Sequence, residues 1–173
     1  MNAPVLGPIL PPVRKVVHVP WDVEHAFRRF TSELASWWPL ATHSLGGSAA
    51  VTCRFEGRVG GEIFETHRDG SRIVWGTVLV WEPPTRVRFT WHPGEEPTSF
   101  GEVELRFASE GDGTQLELTH SGWERRGAKA KSARRAYNLG WVYVLAIYAE
   151  RRGMLVRTLD LVGAVARRLQ RRR

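Results

Sequence analysis

His120 is the residue of this sequence whose type and position best suit acid–base chemistry. It alternates in phase with Leu116 and Leu118, so a regular strand would turn its imidazole toward an apolar interior. Histidine titrates near neutral pH and can therefore protonate or orient a bound molecule. The same pattern fits a buried neutral histidine that is hydrogen-bonded to a backbone carbonyl or to a tyrosine such as Tyr137. Both interpretations predict that His120 faces inward.

Other polar residues give weaker indications of a site. His43 lies in a loop rich in glycine and serine, where it would either be solvated or close over the mouth of a cavity. Glu62 and Glu65 belong to one predicted strand, and only one of them can face inward because side chains alternate along a strand. We assign neither glutamate the role of catalytic base.

The chain of 173 residues contains eight tryptophans, which is several times ordinary usage. Each indole offers a large apolar surface and one N–H group that needs a partner when it is buried. Trp37, Trp38 and Trp81 are predicted to plug the ends of a sheet. Four tryptophans on strands or on a covering helix are predicted to form a ligand wall: Trp75, Trp91, Trp123 and Trp141. Together with His120 and Tyr137 they are the predicted ligand-binding residues, and no catalytic residue is predicted.

Metal ions and nucleotide cofactors are not expected. The six histidines are scattered without helical ligand spacing, and the single Cys53 has no partner for a zinc site. The sequence also lacks a phosphate-binding glycine motif and a nucleophile-elbow serine motif. A lone cysteine cannot form an internal disulfide, which fits a protein of the reducing cytoplasm.

The formal charge of +7 is concentrated at one end of the chain. Residues 154–173 hold six arginines and one aspartate, so the rest of the chain is nearly neutral. A nucleic-acid-binding stripe across the domain is therefore not predicted. This extension is either a solvated terminus or a contact for nucleic acid or an anionic membrane. Its apolar stripe from Leu155 to Leu169 could instead pack on a second copy and form a homodimer.

The elements that must position these residues follow from local signals. The β-branched segment Val13–Val19 predicts a first strand after a proline-rich arm over residues 1–12. Acidic residues then start a short helix, and a second helical turn runs to Trp38 before Pro39 ends it. Turn residues recur every 8 to 15 residues between Ala49 and Trp123, which predicts about six antiparallel strands, with Asp69-Gly70 and Asp112-Gly113 as hairpin turn pairs.

A long helix over Lys131–Arg152 completes the set of elements. It carries an apolar stripe that includes Tyr137 and Trp141, and Gly153 is predicted to close it. A curved sheet with one apolar face needs such a cover. No apolar run reaches the roughly 20 residues that a membrane span requires.

Several local motifs resemble those of one protein family. They are Trp37-Trp38-Pro39-Leu40, Trp81-Glu82-Pro83-Pro84, Phe89-Thr90-Trp91 and Leu118-Thr119-His120-Ser121-Gly122-Trp123. They resemble the bacterial SRPBCC proteins of the type named after the activator of Hsp90 ATPase homologue. The resemblance covers about residues 14–152.

The resemblance implies an α+β helix-grip fold, which is the START-like or Bet v 1-like arrangement. About seven antiparallel strands would wrap around the long C-terminal helix, with two short helices after the first strand. The domain would span residues 13–153, and residues 154–173 would form a basic extension. The resemblance also implies a hydrophobic cavity between sheet and helix.

This cavity predicts a non-enzymatic or weakly enzymatic protein that binds a small hydrophobic molecule. One alternative is a small enzyme of the polyketide cyclase type with His120 as acid or base. Another is a protein-interaction module, including one that acts like an Hsp90 co-chaperone.

Overall fold

A seven-stranded antiparallel sheet in the order β1-β7-β6-β5-β4-β3-β2 forms the frame of the molecule. The computed structural model describes residues 6–95 and 100–150. The strands are β1 (Val13–Val19), β2 (Ala50–Phe55), β3 (Glu62–His67), β4 (Arg72–Glu82), β5 (Arg86–Trp91), β6 (Gly101–Glu110) and β7 (Gly113–Ser121). The helices are α1 (Val23–Phe30), α2 (Leu34–Trp37) and α3 (Ala130–Tyr148). The sheet curls into a half-barrel against α3, which confirms the predicted helix-grip fold.

The two short helices form where the sequence predicts them. The Asp22 carboxylate accepts a hydrogen bond from the His25 backbone N–H over 2.7 Å and caps the start of α1. At the other end, the hydroxyl and the backbone N–H of Thr31 both donate to the Phe27 carbonyl, over 2.8 and 3.1 Å. Phe27 and Phe30 are buried against the sheet, so α1 closes one end of the half-barrel.

Alternation along the central strands places one face of the sheet in the core. Residues of β7 alternate between buried and partly exposed over the whole strand. His120 pairs in register with Val103 of β6, and Leu118 pairs with Leu105. All four side chains are buried, so the prediction that His120 faces inward is correct.

The turn between β6 and β7 differs from the prediction by one position. Asp112 and Gly113 are expected as the turn pair, but Gly111 is the residue with a positive φ of 57°. Gly113 already belongs to the ladder, where it pairs with Glu110. The turn residues are therefore Gly111 and Asp112.

Helix α3 begins one residue earlier and ends four residues earlier than predicted. Arg29 donates to the Tyr148 carbonyl over 3.4 Å and forms an ion pair of 2.9 Å with the Glu150 carboxylate. Glu150 itself has a positive φ of 58°, which ends the helical path. The predicted closure at Gly153 and the extension over residues 154–173 lie outside the described residues. Within residues 6–95 and 100–150, no helix is long and apolar enough to span a membrane.

Candidate functional site

A pocket of about 200 Å³ opens to the surface where β5 ends beside α3. Three segments contribute its walls: the loop after α2, the end of β5 with its following turn, and one face of α3. We call it the aromatic pocket, and it is lined by Trp38, His43, Trp91, Pro93, Tyr137, Gly140, Trp141 and Val144. Its surface is therefore almost entirely apolar and aromatic.

The deeper space between sheet and helix is filled. Only about 10 Å³ remains in a gap lined by Trp38, Trp91, Trp141 and five other apolar residues. The ring centre of Trp91 lies 5.8 Å from that of Trp75 and 5.8 Å from that of Trp141, so these indoles pack directly on one another. The expected enclosed hydrophobic cavity is not seen within the described residues, and the open aromatic pocket takes its place.

Helix α3 presents Tyr137, Gly140, Trp141 and Val144 to the pocket at intervals of three and four residues. Gly140 leaves the floor of the pocket open between its larger neighbours. A Cβ atom at this position would meet only the Nε2 atom of His43, at 3.9 Å. Gly140 and His43 therefore face each other across the pocket.

His43 reaches the pocket because its loop is fastened to the core. The Trp38 indole donates to the His43 carbonyl over 2.8 Å. The imidazole stacks on Tyr143 with ring centres 5.0 Å apart and planes 12° apart. Burial lowers the pKa of His43 below its ordinary value. His43 is thus a wall residue of the pocket and not a fully solvated loop residue, which was the other alternative from the sequence.

The Glu65 carboxylate anchors the same loop to β3. Its side chain is fully buried, and it accepts hydrogen bonds from the backbone N–H groups of Leu45 and Gly46, over 2.9 and 2.6 Å. The Trp75 indole donates to it over 3.0 Å, and Nε2 of His67 lies 2.6 Å from its other oxygen. Burial acts to raise the pKa of Glu65, but these hydrogen bonds more than offset burial and lower it. Glu65 is therefore a positioning residue for the pocket wall.

The structure divides the six predicted ligand-binding residues into two groups. Trp91, Tyr137 and Trp141 line the aromatic pocket. Trp75, His120 and Trp123 lie behind its walls and are 0 to 1% exposed. Trp38, which the sequence places among the end plugs, is instead a wall residue. The only sequence signal for Trp38 is its place in a Trp-Trp-Pro run before a glycine-containing loop.

His120 supports the pocket from behind. Its Nδ1 atom accepts a hydrogen bond from the Trp141 indole over 3.1 Å. Because an indole only donates, the proton of the neutral imidazole must be on Nε2. Burial, together with the nearby Arg126 charge, lowers the pKa of His120 to about 3. His120 is therefore uncharged at neutral pH, and Nε2 has no hydrogen-bond partner among the described residues.

Arg126 is a buried cation that sequence reasoning missed. It lies in the 3₁₀ turn over Trp123–Lys129, which precedes α3. Its side chain is only 4% exposed and forms an ion pair with Glu95. Its run of charged neighbours is typical of a solvated turn, so the sequence held no signal for this burial. The described residues contain no cluster of three or more side chains suited to bind a metal ion.

The family model of the Activator of Hsp90 ATPase homolog 1-like proteins matches residues 21–147. The chain belongs to this family. The resemblance inferred from the motifs is therefore confirmed, and the matched region contains the whole aromatic pocket. No curated protein sequence gives a significant match.

Solved structures agree with this assignment. The anthrahydroquino-γ-pyrone synthase Txn09, solved in complex with SUM, is 35% identical, with a TM-score of 0.57 over 82% of this chain and 97% of that chain. The Aha1 dimer from Colwellia psychrerythraea is 17% identical, with a TM-score of 0.59 over 82% of this chain and 95% of that chain. Protein MLL2253 from Mesorhizobium loti is 19% identical, with a TM-score of 0.58 over 84% of this chain and 98% of that chain. The last two relationships establish the fold alone.

Proposed function

We propose that this member of the family binds a small planar aromatic molecule in the aromatic pocket. The observation that carries the proposal is the pocket itself, in which Trp38, Trp91 and Trp141 surround about 200 Å³ of open space. Flat apolar walls favour a flat apolar ligand, because aromatic rings pair in offset or edge-to-face contacts. An apolar cavity of about 150 Å³ is enough to hold benzene, so this pocket suits one or two rings, and its opening leaves room for further rings outside.

Gly140 supports the proposal by its place in the middle of α3. A glycine in a helix interior is less stable than alanine by roughly 0.5–1 kcal/mol. A Cβ atom here would meet no close neighbour apart from His43 at 3.9 Å, so packing of the protein does not demand a glycine. The space that it leaves belongs to the pocket and is explained by a ligand that lies against the helix backbone.

The similarity to Txn09 supports the same class of ligand. That protein is a synthase whose name denotes a fused aromatic compound, and it is 35% identical over most of both chains. Binding of an aromatic polyketide-like molecule by the present chain is our extension of this similarity to the aromatic pocket.

Quenching of tryptophan fluorescence by 1-naphthol tests this proposal. Trp38, Trp91 and Trp141 line the pocket, so a bound ring should quench emission with a saturating curve. Gly140→Leu should weaken binding at least tenfold because its side chain would occupy the pocket. Ala136→Leu adds the same side chain to an exposed position of α3 and should leave the affinity unchanged. Equal affinities for the two variants, or a linear quench, would contradict the proposal.

A second candidate function is an enzyme that transforms its aromatic ligand. The similarity to a synthase favours it, and Tyr137 and His43 put two polar groups in the pocket wall. His120, the acid or base suggested by the sequence for such an enzyme, lies behind the wall, where it accepts a hydrogen bond from Trp141 and positions it. Mass spectrometry of a polyketide substrate panel after incubation with the protein distinguishes the two functions. An enzyme yields a new product that Tyr137→Phe or His43→Ala suppresses, whereas a binding protein returns every compound unchanged.

A further inference from the structure

The buried guanidinium of Arg126 has hydrogen-bonding or ion-pair partners at only some of its nitrogen atoms. Its Nη1 atom pairs with the Glu95 carboxylate, and Nη2 lies 3.4 Å from the Trp91 carbonyl oxygen. Its Nε atom is buried without a hydrogen-bond partner among the described residues. Burial of a charge is costly unless it is paired and hydrogen-bonded, so this arrangement leaves part of the positive charge unsatisfied.

The ion pair is oriented with its cation inward. The Arg126 side chain is 4% exposed, whereas the Glu95 side chain is 35% exposed. Water therefore screens the carboxylate more than the guanidinium. The nearby His120 is neutral and adds no opposing charge. The guanidinium is consequently the less screened member of the ion pair.

Tyr137 connects this charge to the aromatic pocket. The Arg126 guanidinium lies 5.0 Å from the centre of the Tyr137 ring, and Tyr137 lines the pocket. Burial, the largest effect, raises the pKa of the Tyr137 hydroxyl overall, and the Glu95 carboxylate acts in the same direction, whereas Arg126 and the Trp91 indole act to lower it. Trp91, which also lines the pocket, has a buried indole N–H without an acceptor in good geometry. Tyr137 is thus the pocket residue through which the buried cation can act on a bound molecule.

We propose that Tyr137, backed by Arg126, forms an oxygen-binding end of the aromatic pocket that selects ligands with a weakly acidic oxygen, such as a phenol or an enol. This inference rests on the proposed function and specifies its ligand class. The apolar walls bind the ring system, and the guanidinium behind Tyr137 favours the ionised oxygen over the neutral one. A buried donor aimed at an oxyanion gains strength from the low local dielectric.

The ionisation of bound 4-nitrophenol tests this inference, because its phenol and phenolate forms differ in absorbance. The pKa of the bound probe should fall by about one unit relative to free probe, which corresponds to roughly tenfold tighter binding of the phenolate. Arg126→Met should abolish this shift. Arg125→Met is the matched control: it removes the same charge from the neighbouring residue, which faces Glu102 and Phe100, and it should retain the shift.

Tyr137→Phe keeps the ring at the pocket wall and serves as a second test if Arg126→Met does not fold. It should lose most of the shift. Nitrobenzene, which lacks the phenolic oxygen, serves as the reference ligand for the apolar walls of the unmodified protein. An unchanged or raised probe pKa in the unmodified protein, or an equal shift in the two arginine variants, would overturn the oxygen-binding end. Nitrobenzene bound without any phenolate preference would refute this inference alone, whereas failure of both probes to bind would refute the proposed function as well.

Discussion

The Trp141 indole N–H donates a hydrogen bond to Nδ1 of His120 over 3.1 Å, and this bond ties α3 to β7. Trp141 is a wall residue of the aromatic pocket, and His120 is the buried residue that orients it. The rings of Trp123 and Tyr137 lie 4.2 and 4.9 Å from the imidazole and enclose it. A polar residue in the core thus determines the orientation of an apolar wall.

Replacement of His120 by Phe should destabilise the protein by about 1–3 kcal/mol, because the buried Trp141 N–H would lose its acceptor. Urea denaturation measures this change. Trp141→Phe removes the donor instead, so the double variant contains neither an unpaired donor nor an unpaired acceptor. The double variant should lose less stability than the two single variants lose together, by about 0.5–1.5 kcal/mol. Strict additivity of the two losses would show that the bond contributes nothing.

The stability of the protein should fall as the pH drops from about 7 to 5. The pKa of folded His120 is about 3, whereas an unfolded histidine titrates near 6.5. Between these values the unfolded chain binds the extra proton, so protonation favours unfolding, by up to about 1.4 kcal/mol per pH unit. The lowered pKa of His43 acts in the same direction. Urea denaturation at pH 7, 6 and 5 should therefore give a steeper decline for the unmodified protein than for His120→Phe; parallel declines would contradict the burial effect.

Gly140→Ala should stabilise the fold and weaken ligand binding at the same time. Alanine in a helix interior is favoured over glycine by roughly 0.5–1 kcal/mol, and the added Cβ meets only His43 Nε2 at 3.9 Å. The methyl group occupies pocket volume, so the affinity for 1-naphthol should fall several-fold. Thermal melting and fluorescence titration measure the two effects, and a gain in stability without a loss of affinity would show that Gly140 does not serve the ligand.

Glu65→Gln should destabilise the fold by about 2–3 kcal/mol, because an amide cannot accept from all four donors around Glu65 and loses the charge that strengthens these hydrogen bonds. The loop that carries His43 should loosen, and 1-naphthol should bind more weakly. Glu62→Gln is the matched control on the same strand: Glu62 is partly exposed and forms a surface ion pair with Arg72 over 3.1 Å, so its loss should cost less than about 1 kcal/mol. If urea denaturation gave equal losses of stability for the two variants, the buried Glu65 carboxylate would contribute no more than a surface carboxylate.

Deletion of residues 154–173 should leave a cooperatively folding domain. The described residues already contain a seven-stranded sheet and its covering helix, and residues 154–173 carry most of the net charge. Circular dichroism should show an unchanged melt, and light scattering should show a smaller assembly if the extension is a homodimer contact. A melt that loses its cooperativity would mean that the deleted segment belongs to the core.

Local periodicity is sufficient for much of this fold. The alternation of Val87, Phe89 and Trp91 predicts a half-buried strand, and all three side chains are buried in β5. The phase of His120 with Leu116 and Leu118 predicts its inward direction, which the register of β7 confirms. These features depend only on residues close together in the chain, and the pleat of a strand or the pitch of a helix relates them directly.

Which residues line the aromatic pocket depends on long-range packing instead. Trp75 lies at a register shift between β3 and β4, where Ile63 pairs with Gly76 but Phe64 pairs with Val74, and such a bulge interrupts the alternation from which contacts are predicted. Trp75 therefore meets Glu65 rather than the pocket.

Sequence alone thus determined the strands, the covering helix, the family and the inward direction of His120. Only the tertiary structure decided that Trp38 lines the pocket, that the indoles fill the expected cavity, and that Arg126 is buried behind Tyr137. The reason is that these outcomes require segments separated by tens of residues to meet at a particular distance. Such contacts depend on side-chain volume and on strand register across the whole sheet, and no short stretch of sequence specifies either one.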